Sequence, residues 1–425
     1  MIVDKIPPEV LRVIFIHYVK QTLKQDERKS PVCGPTTGNG DNVDTDSNIQ
    51  GQRHRDTLCS PFHLSLVCRH WHSMVIGDPV LWSYIRIHHP IPDDVPIFKM
   101  WLQRSSSELL TLSLHEDFDA PLDFSDIPKY AEEFDLSVLS QQKRALFQII
   151  EVAVSVSKRW RAISLSLGED VGRVFQTEDF HTREFPNLES FEIDMRDTGI
   201  SSWGDPSSGT LPPIHAVSKR LSSSPKLKAA KWSSYVDSEF QEYAPFSRLV
   251  SLSIATVTEF EATVILPCCQ ELQILEFQHY RPSSALPALQ VDRPIVLPML
   301  QVASLGFFDD WIAVPSFFNL FAAPSLRELD LERGFGRSSP TLRVISSGGL
   351  GIGDDKGWKG LIAFLERSEC RLQRLGYCPG VELSAGEENV MRENLKNRVF
   401  HGLVEYPRRR ERGRGVSGWG GMGSL

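Results

Sequence analysis

A chain of 425 residues, 41% of them apolar and 24% charged, can bury one large core or about two to three ordinary domains, which excludes disorder throughout. The formal charge is −8, and because five arginines against Glu411 give the last 19 residues +4, the remainder carries −12. That balance argues against a nucleic-acid-binding body. Seven cysteines are too sparse for a disulfide framework, and no Asn-x-Ser/Thr acceptor occurs. The start, with Asp4 and Lys5 before a double proline, lacks the pattern of a secretory leader, and no apolar run is long enough to span a membrane. The expectation is a cytoplasmic or nuclear protein without a membrane segment.

From Pro7 to Val19, the residues Val10, Leu11, Ile14, Phe15, Tyr18 and Val19 recur at helical spacing, which predicts a short amphipathic helix. The stretch Ser30 to Thr57 holds only Val32, Cys33, Val43 and Ile49 as apolar residues, so a disordered insertion is expected over about 21–60. After Pro61, the residues Leu64, Val67, Cys68, Trp71, Met74 and Val75 share one helical face, and Gly77, Asp78 and Pro79 end it. The apolar segments Val80-Leu81-Trp82 and Tyr84-Ile85-Arg86-Ile87 follow.

Beyond Pro96 the chain repeats an apolar-x-x-apolar-x-apolar unit. The units start at Leu109, Trp160, Leu188, Leu227, Leu249, Leu272, Leu300, Leu326 and Leu372, with separations of 51, 28, 39, 22, 23, 28, 26 and 46. The central separations lie in or near the range of about 20–29 residues found in leucine-rich repeats. Long separations need insertions: Leu146, Ile149, Ile150, Ala153 and Val154 predict a helix after Ser140, whereas Thr198 to Pro213 and Gly348 to Gly360 read as loops.

Ile6-Pro7-Pro8-Glu9-Val10-Leu11 with Ile14-Phe15, then Leu66-Val67-Cys68-Arg69-His70-Trp71, then Asp78-Pro79-Val80-Leu81-Trp82 resemble the F-box in the form common among large fungal families. Phe98 to Ser105 and the strand at Leu109 also resemble those proteins, in which a leucine-rich-repeat-like body follows. The insertion between the two F-box helices departs from the pattern, although closing a longer loop costs only about 0.6 kcal/mol per doubling of length. The Asn or Cys expected eight residues into each repeat is also absent, with Arg196, Tyr235, Val257, Tyr280, Phe308 and Gly334 standing there.

The resemblance implies an α/β chain with a small helical F-box over 1–90, an irregular leucine-rich-repeat solenoid over 91–404, and a basic Gly/Arg tail over 405–425. It further implies the non-catalytic substrate receptor of a Skp–cullin–F-box ubiquitin ligase, with no cofactor or metal. The Skp adaptor, and through it a cullin, would be the partner of the F-box. The adaptor-binding residues would be Pro7, Pro8, Leu11, Ile14, Phe15, Val67, Cys68, Trp71, Leu81 and Trp82. The rival is a ubiquitin-independent scaffold in which a degenerate F-box packs on the repeats. Solvent exposure of Leu11, Phe15 and Trp82 discriminates the two.

Two-residue alternation places the third, fifth and seventh positions of each unit on one open sheet face. Early units contribute Thr111, Ser113, His115, Ala162, Ser164 and Ser166; later ones contribute Ser190, Glu192, Asp194, Lys231, Ile274, Glu276, Gln278, Glu328, Asp330 and Glu332. The expected target face is therefore Glu192, Asp194, Glu276, Glu328, Asp330 and Glu332, and its expected partner a basic segment. A merely solvated charged face is the alternative, and a register slip would reverse the assignment.

Other clusters fail on spacing. His63, His70 and His72 near Cys59 and Cys68 lack paired metal-ligand spacing. Adjacent Cys268 and Cys269 lack redox spacing, so one buried and one exposed thiol is expected. The run Gly348 to Gly353 lacks either phosphate-binding fingerprint, and no nucleophile elbow or His-Glu-x-x-His helix occurs. For the tail Arg408 to Gly415 three readings stay open: an import or RNA-touching segment, a solvated end, or an internal competitor on the acidic face.

Overall fold

Each of the nine repeat units overlaps a strand in the computed structural model, which describes residues 6–29, 60–88, 90–116, 136–196, 213–235, 244–281, 294–308, 313–334, 356–377 and 403–405. The protein is α/β. Its chain separates into two compact units, Met1–Pro245 and Phe246–Leu425.

In the first unit the strands β1 (Tyr84–His88), β2 (Leu110–His115), β3 (Trp160–Gly168), β4 (Ser190–Arg196) and β5 (Ala229–Tyr235) pair in parallel in chain order. Parallel neighbours need a crossover, and the helices Asp94–Arg104, Leu136–Ser155 and Pro213–Ser222 and shorter turns provide it. The helix expected after Ser140 is present, with Leu146, Ile149, Ile150, Ala153 and Val154 buried against the unit's core.

The burial pattern follows the predicted alternation, as Leu188, Phe191 and Ile193 are buried while Ser190, Glu192 and Asp194 are half-buried. One unit shifts. Leu110, rather than Leu109, occupies the first inward position, in unbroken alternation with Leu112 and Leu114 along β2.

In the second unit, β6 (Ser251–Thr258), β7 (Ile274–Arg281), β9 (Val302–Phe308), β11 (Glu328–Gly334), β12 (Arg374–Tyr377) and β13 (Leu403–Glu405) pair in parallel in that order. A separate pair joins β8 (Ile295–Val296) to β10 (Phe321–Ala322). Aromatic side chains fill the space under the sheet: Phe317 meets Tyr280 at 4.7 Å and Phe321 at 5.1 Å, and Phe318 meets Phe364 at 4.9 Å. Phe364 belongs to the helix Lys356–Ser368, which takes the last residues of the loop expected to Gly360; the rest of that stretch lies outside the described residues. Leu361, Phe364 and Leu365 give that helix its buried stripe. The loop expected over Thr198 to Pro213 lies outside the described residues up to 212, and Pro213 opens a helix, where its missing N–H costs nothing.

The N-terminal helices differ from expectation in two ways. The first runs over Pro8–Lys29, ten residues past Val19, and the expected insertion beyond it lies outside the described residues from 30 to 59. The second is broken into Ser60–Ser65 and Arg69–Gly77. Ser65 Oγ donates to the Phe62 carbonyl at 2.7 Å at the end of the first piece, and extended Cys68 caps the second by accepting from the Trp71 amide at 3.5 Å.

Candidate functional site

The helix Pro8–Lys29 carries two apolar stripes rather than one. Leu11, Phe15 and Val19, spaced by four, are buried, whereas Val10, Val13, Ile14 and Tyr18 face water. Leu81 and Trp82 are buried as well, and Trp71, half-buried, meets Phe15 edge-on with centroids 4.7 Å apart. Trp82 Nε1 donates to the Val75 carbonyl at 2.8 Å, its ring stands 5.1 Å from Phe62 and 5.8 Å from Trp101, and the Arg104 guanidinium covers it at 4.4 Å. Of the residues expected to touch an adaptor, Leu11, Phe15, Leu81 and Trp82 are therefore core. This corrects the sequence reading, whose single stripe merged two helical faces about 100° apart per residue step.

What remains outside is an apolar set on packed neighbouring elements. Val13 is 67% exposed, Leu66 80% and Val67 59%, and Val10, Ile14 and Tyr18 join them. Pro7, Pro8 and Cys68 are also exposed. Val10, Val13, Tyr18 and Leu66 were missed, although the spacing of Val10, Val13, Ile14 and Tyr18 marks a second face once Leu11 and Phe15 are assigned to the first. Arg12 lies on the same helix and bonds Asp78 at 2.6 Å; that hydrogen bond and then the Asp78 charge raise the guanidinium above its usual value. Asp78 also accepts from the Val80 amide at 3.1 Å and so fixes the turn that inserts Leu81 and Trp82.

The open sheet faces hold the carboxylates predicted for target binding, but many are already engaged. In the first unit Glu192 accepts from Lys231 at 2.8 Å and Ser164 at 3.2 Å, and Asp194 accepts from Ser166 at 3.1 Å. At the sheet's start Arg86 donates to His88, whose ring stacks on His115 at 4.5 Å, while Ser113 Oγ lies 2.7 Å from His115 Nε2.

In the second unit Arg374 bridges Glu328 at 2.9 Å and Asp330 at 2.8 Å, and Glu276 accepts from the Ser253 hydroxyl at 2.9 Å. Glu332 occupies the register position opposite Gly306. The face is thus less acidic than the sequence suggests, and Arg374, on the third position of the last repeat unit, is the residue the sequence reading left out.

Cys268 is exposed and Cys269 buried, as expected, and burial followed by the neighbouring Cys268 pushes the Cys269 thiol up to about 12, which keeps it protonated and unreactive. Cys68 serves as a helix cap, and His63, His70 and His72 point to solvent. Cys59, the glycine run and the arginine tail lie outside the described residues. Among the described residues, no helix is long and apolar enough to cross a membrane.

No protein-family model matches the chain, and no curated protein matches it. Among solved structures, one that is similar is a structural-genomics protein of Bacteroides fragilis, at 15% identity over 64% of this chain and 85% of that one, with a TM-score of 0.23.

Proposed function

We propose that this chain is the target-receiving subunit of a Skp–cullin–F-box ubiquitin ligase. Its N-terminal helices dock on the Skp adaptor, and the open face of an irregular leucine-rich-repeat solenoid receives the protein to be ubiquitylated. The observation that carries this reading is the exposed apolar set Val10, Val13, Ile14, Tyr18, Leu66 and Val67, left in water by a module whose core is already closed. Several large apolar side chains exposed on one small module are a mark of an interaction surface, and aliphatic and aromatic anchors suit an interface centre. The F-box resemblance of the same segments names the partner. The receptor itself performs no chemistry.

The scaffold reading draws on one observation, the burial of Leu11, Phe15 and Trp82, since a relic module would bury those residues against the repeats. It leaves the outer set unexplained, because a relic packed on its own chain has no use for six large side chains in solvent.

Co-purification of the full chain with a Skp adaptor tests the proposal. The triple substitution Val13→Glu, Ile14→Glu and Val67→Glu charges the outer face without entering the core, and it is expected to abolish a complex that the unaltered chain forms. A folded, unaltered chain that captures no adaptor would overturn the receptor reading.

A further inference from the structure

We propose that the open face of the second unit binds an extended protein segment carrying a large apolar side chain two residues before a lysine or arginine. The apolar group rests on Ile274 and Val302, and the cation meets Glu276. The inference rests on the receptor reading for its biological purpose, and it deepens that reading by naming the chemistry of the bound protein.

Register places five residues side by side across the sheet: Ser251, Ile274, Val302, Glu328 and Arg374. The next row on the same face is Ser253, Glu276, Ser304, Asp330 and Gly376. Ile274 is 44% exposed in the middle of a sheet, where the alternation of β7 directs it away from the core, and half-buried Val302 stands beside it. Its other neighbours, Ser251 and Ser253, are too short to cover it. The result is an apolar spot on an otherwise polar face, open to a side chain from outside.

The two rows treat their carboxylates differently. Glu328 and Asp330 share the Arg374 guanidinium, whereas Glu276 receives a hydroxyl, and among the described residues no cation pairs with it. A hydroxyl positions a carboxylate without cancelling its charge. The face also holds His279, which burial and then Arg281 hold below the usual histidine range, and Arg281 itself at the far end of β7. Counting Glu276, Glu328 and Asp330 against Arg374, the two rows are net acidic: one uncompensated charge is spread over the Glu328–Asp330 pair that shares Arg374, and the other sits at Glu276, beside Ile274.

Ile274 and Glu276 lie two residues apart on one strand, about 7 Å, which is the spacing of successive same-side groups in any extended peptide. An incoming segment running along β7 therefore presents an apolar side chain and a cation at matching intervals. Complementary charge selects the partner, and burial of the apolar group adds affinity.

Fluorescence anisotropy on the full chain tests this with three labelled peptides in a common Gly/Ser background, containing Leu-Ser-Lys, Leu-Ser-Glu or Ser-Ser-Lys. The first is expected to bind at least about tenfold more tightly than the other two. Glu276→Lys is expected to reverse the preference from the lysine to the glutamate peptide, and Ile274→Ser to erase the advantage of leucine over serine.

Equal affinities for the three peptides with the unaltered chain would overturn the proposal without recourse to any variant. A chain carrying Arg408→Ser, Arg409→Ser, Arg410→Ser, Arg412→Ser and Arg414→Ser guards against self-occupation. Unchanged peptide affinity supports an outside partner, whereas tenfold tighter binding would show that the chain's own tail occupies the face and would overturn it. Peptide discrimination is read without the adaptor, so its loss beside an intact adaptor complex sinks this inference alone. Its persistence without an adaptor complex sinks only the receptor reading.

Discussion

A Cβ placed on Gly306 would collide with the backbone oxygen of Gln278 and stand 2.7 Å from its carbonyl carbon. The cause is local: the register between β7 and β9 shifts between Phe277 and Tyr280, and the backbone of Gln278 swings over the position facing Gly306. Backbone atoms held in a parallel ladder cannot move aside as a flexible side chain would. Gly306→Ala is accordingly expected to destabilise the second unit by about 2–4 kcal/mol, in the upper range for overpacking. Ser304→Ala, two residues earlier on the open face, is expected to be nearly neutral. Urea denaturation followed by circular dichroism checks both, and a Gly306→Ala chain with an unshifted midpoint would show that the two strands do not approach this closely.

At the level of elements, the end of the helix Asp94–Arg104 depends on a residue more than fifty positions away. Arg159 donates through Nε to the Glu108 carbonyl at 3.0 Å, through Nη1 to the Leu102 carbonyl at 3.4 Å and through Nη2 to Ser105 Oγ at 2.7 Å. The turn it clamps includes Ser106 in the left-handed region at φ 47°, a conformation that costs a residue other than glycine roughly 1–2 kcal/mol. Burial lowers the Arg159 guanidinium from its usual value, and the Glu108 charge opposes that shift.

Arg159→Leu removes three charge-assisted bonds to one helix end and is expected to cost about 2–4 kcal/mol. Arg159→Lys should recover only part of this, since a single ammonium cannot reach three directions with a planar fork. Chemical denaturation of the three chains decides it, and equal midpoints would remove Arg159 as the clamp.

The same pair of elements shows what a sequence can disclose. Strand positions were legible because alternation is a property of neighbours: Leu165, Ile193, Leu252 and Phe277 follow it and are buried. The Arg159 clamp, the Arg374 bridge to Glu328 and Asp330, and the Glu192–Lys231 pair were not, because each joins residues whose proximity arises only from strand order and register. The exposed apolar face of the first helix was half legible. Helical periodicity marks Val10, Leu11, Ile14 and Phe15 as apolar, yet which of two adjacent stripes turns inward depends on Trp71, Trp82 and Tyr84 arriving from later in the chain. The break at Cys68 was hidden for a related reason, since a cysteine that caps and a cysteine that packs have the same side chain.

For the molecule as a whole, the question is whether the N-terminal helices form an appendage or belong to the fold of the first unit. Trp82 bears on it directly, because its indole reaches the Val75 carbonyl and Phe62 on the helical side and Trp101 and Arg104 on the side of the first crossover helix. Tyr84, two residues on and already in β1, lies between Lys20 at 5.3 Å and Arg161 at 5.4 Å, so that cations from the first helix and from β3 share one ring. These contacts pack the helices against β1, the first strand of the sheet.

Trp82→Ala should then cost about 3–5 kcal/mol and act on both sides of the indole. Hydrogen exchange is expected to show lost protection in β1 and β2 together with the helix Pro8–Lys29. Loss confined to the helices would mean that the module folds apart from the sheet. Shared loss has a mechanical consequence for the receptor reading: a partner docked on Val13, Ile14 and Val67 would be held at a fixed position relative to the open face of β1 to β5, because the indole of Trp82 ties the helices to the strands that follow.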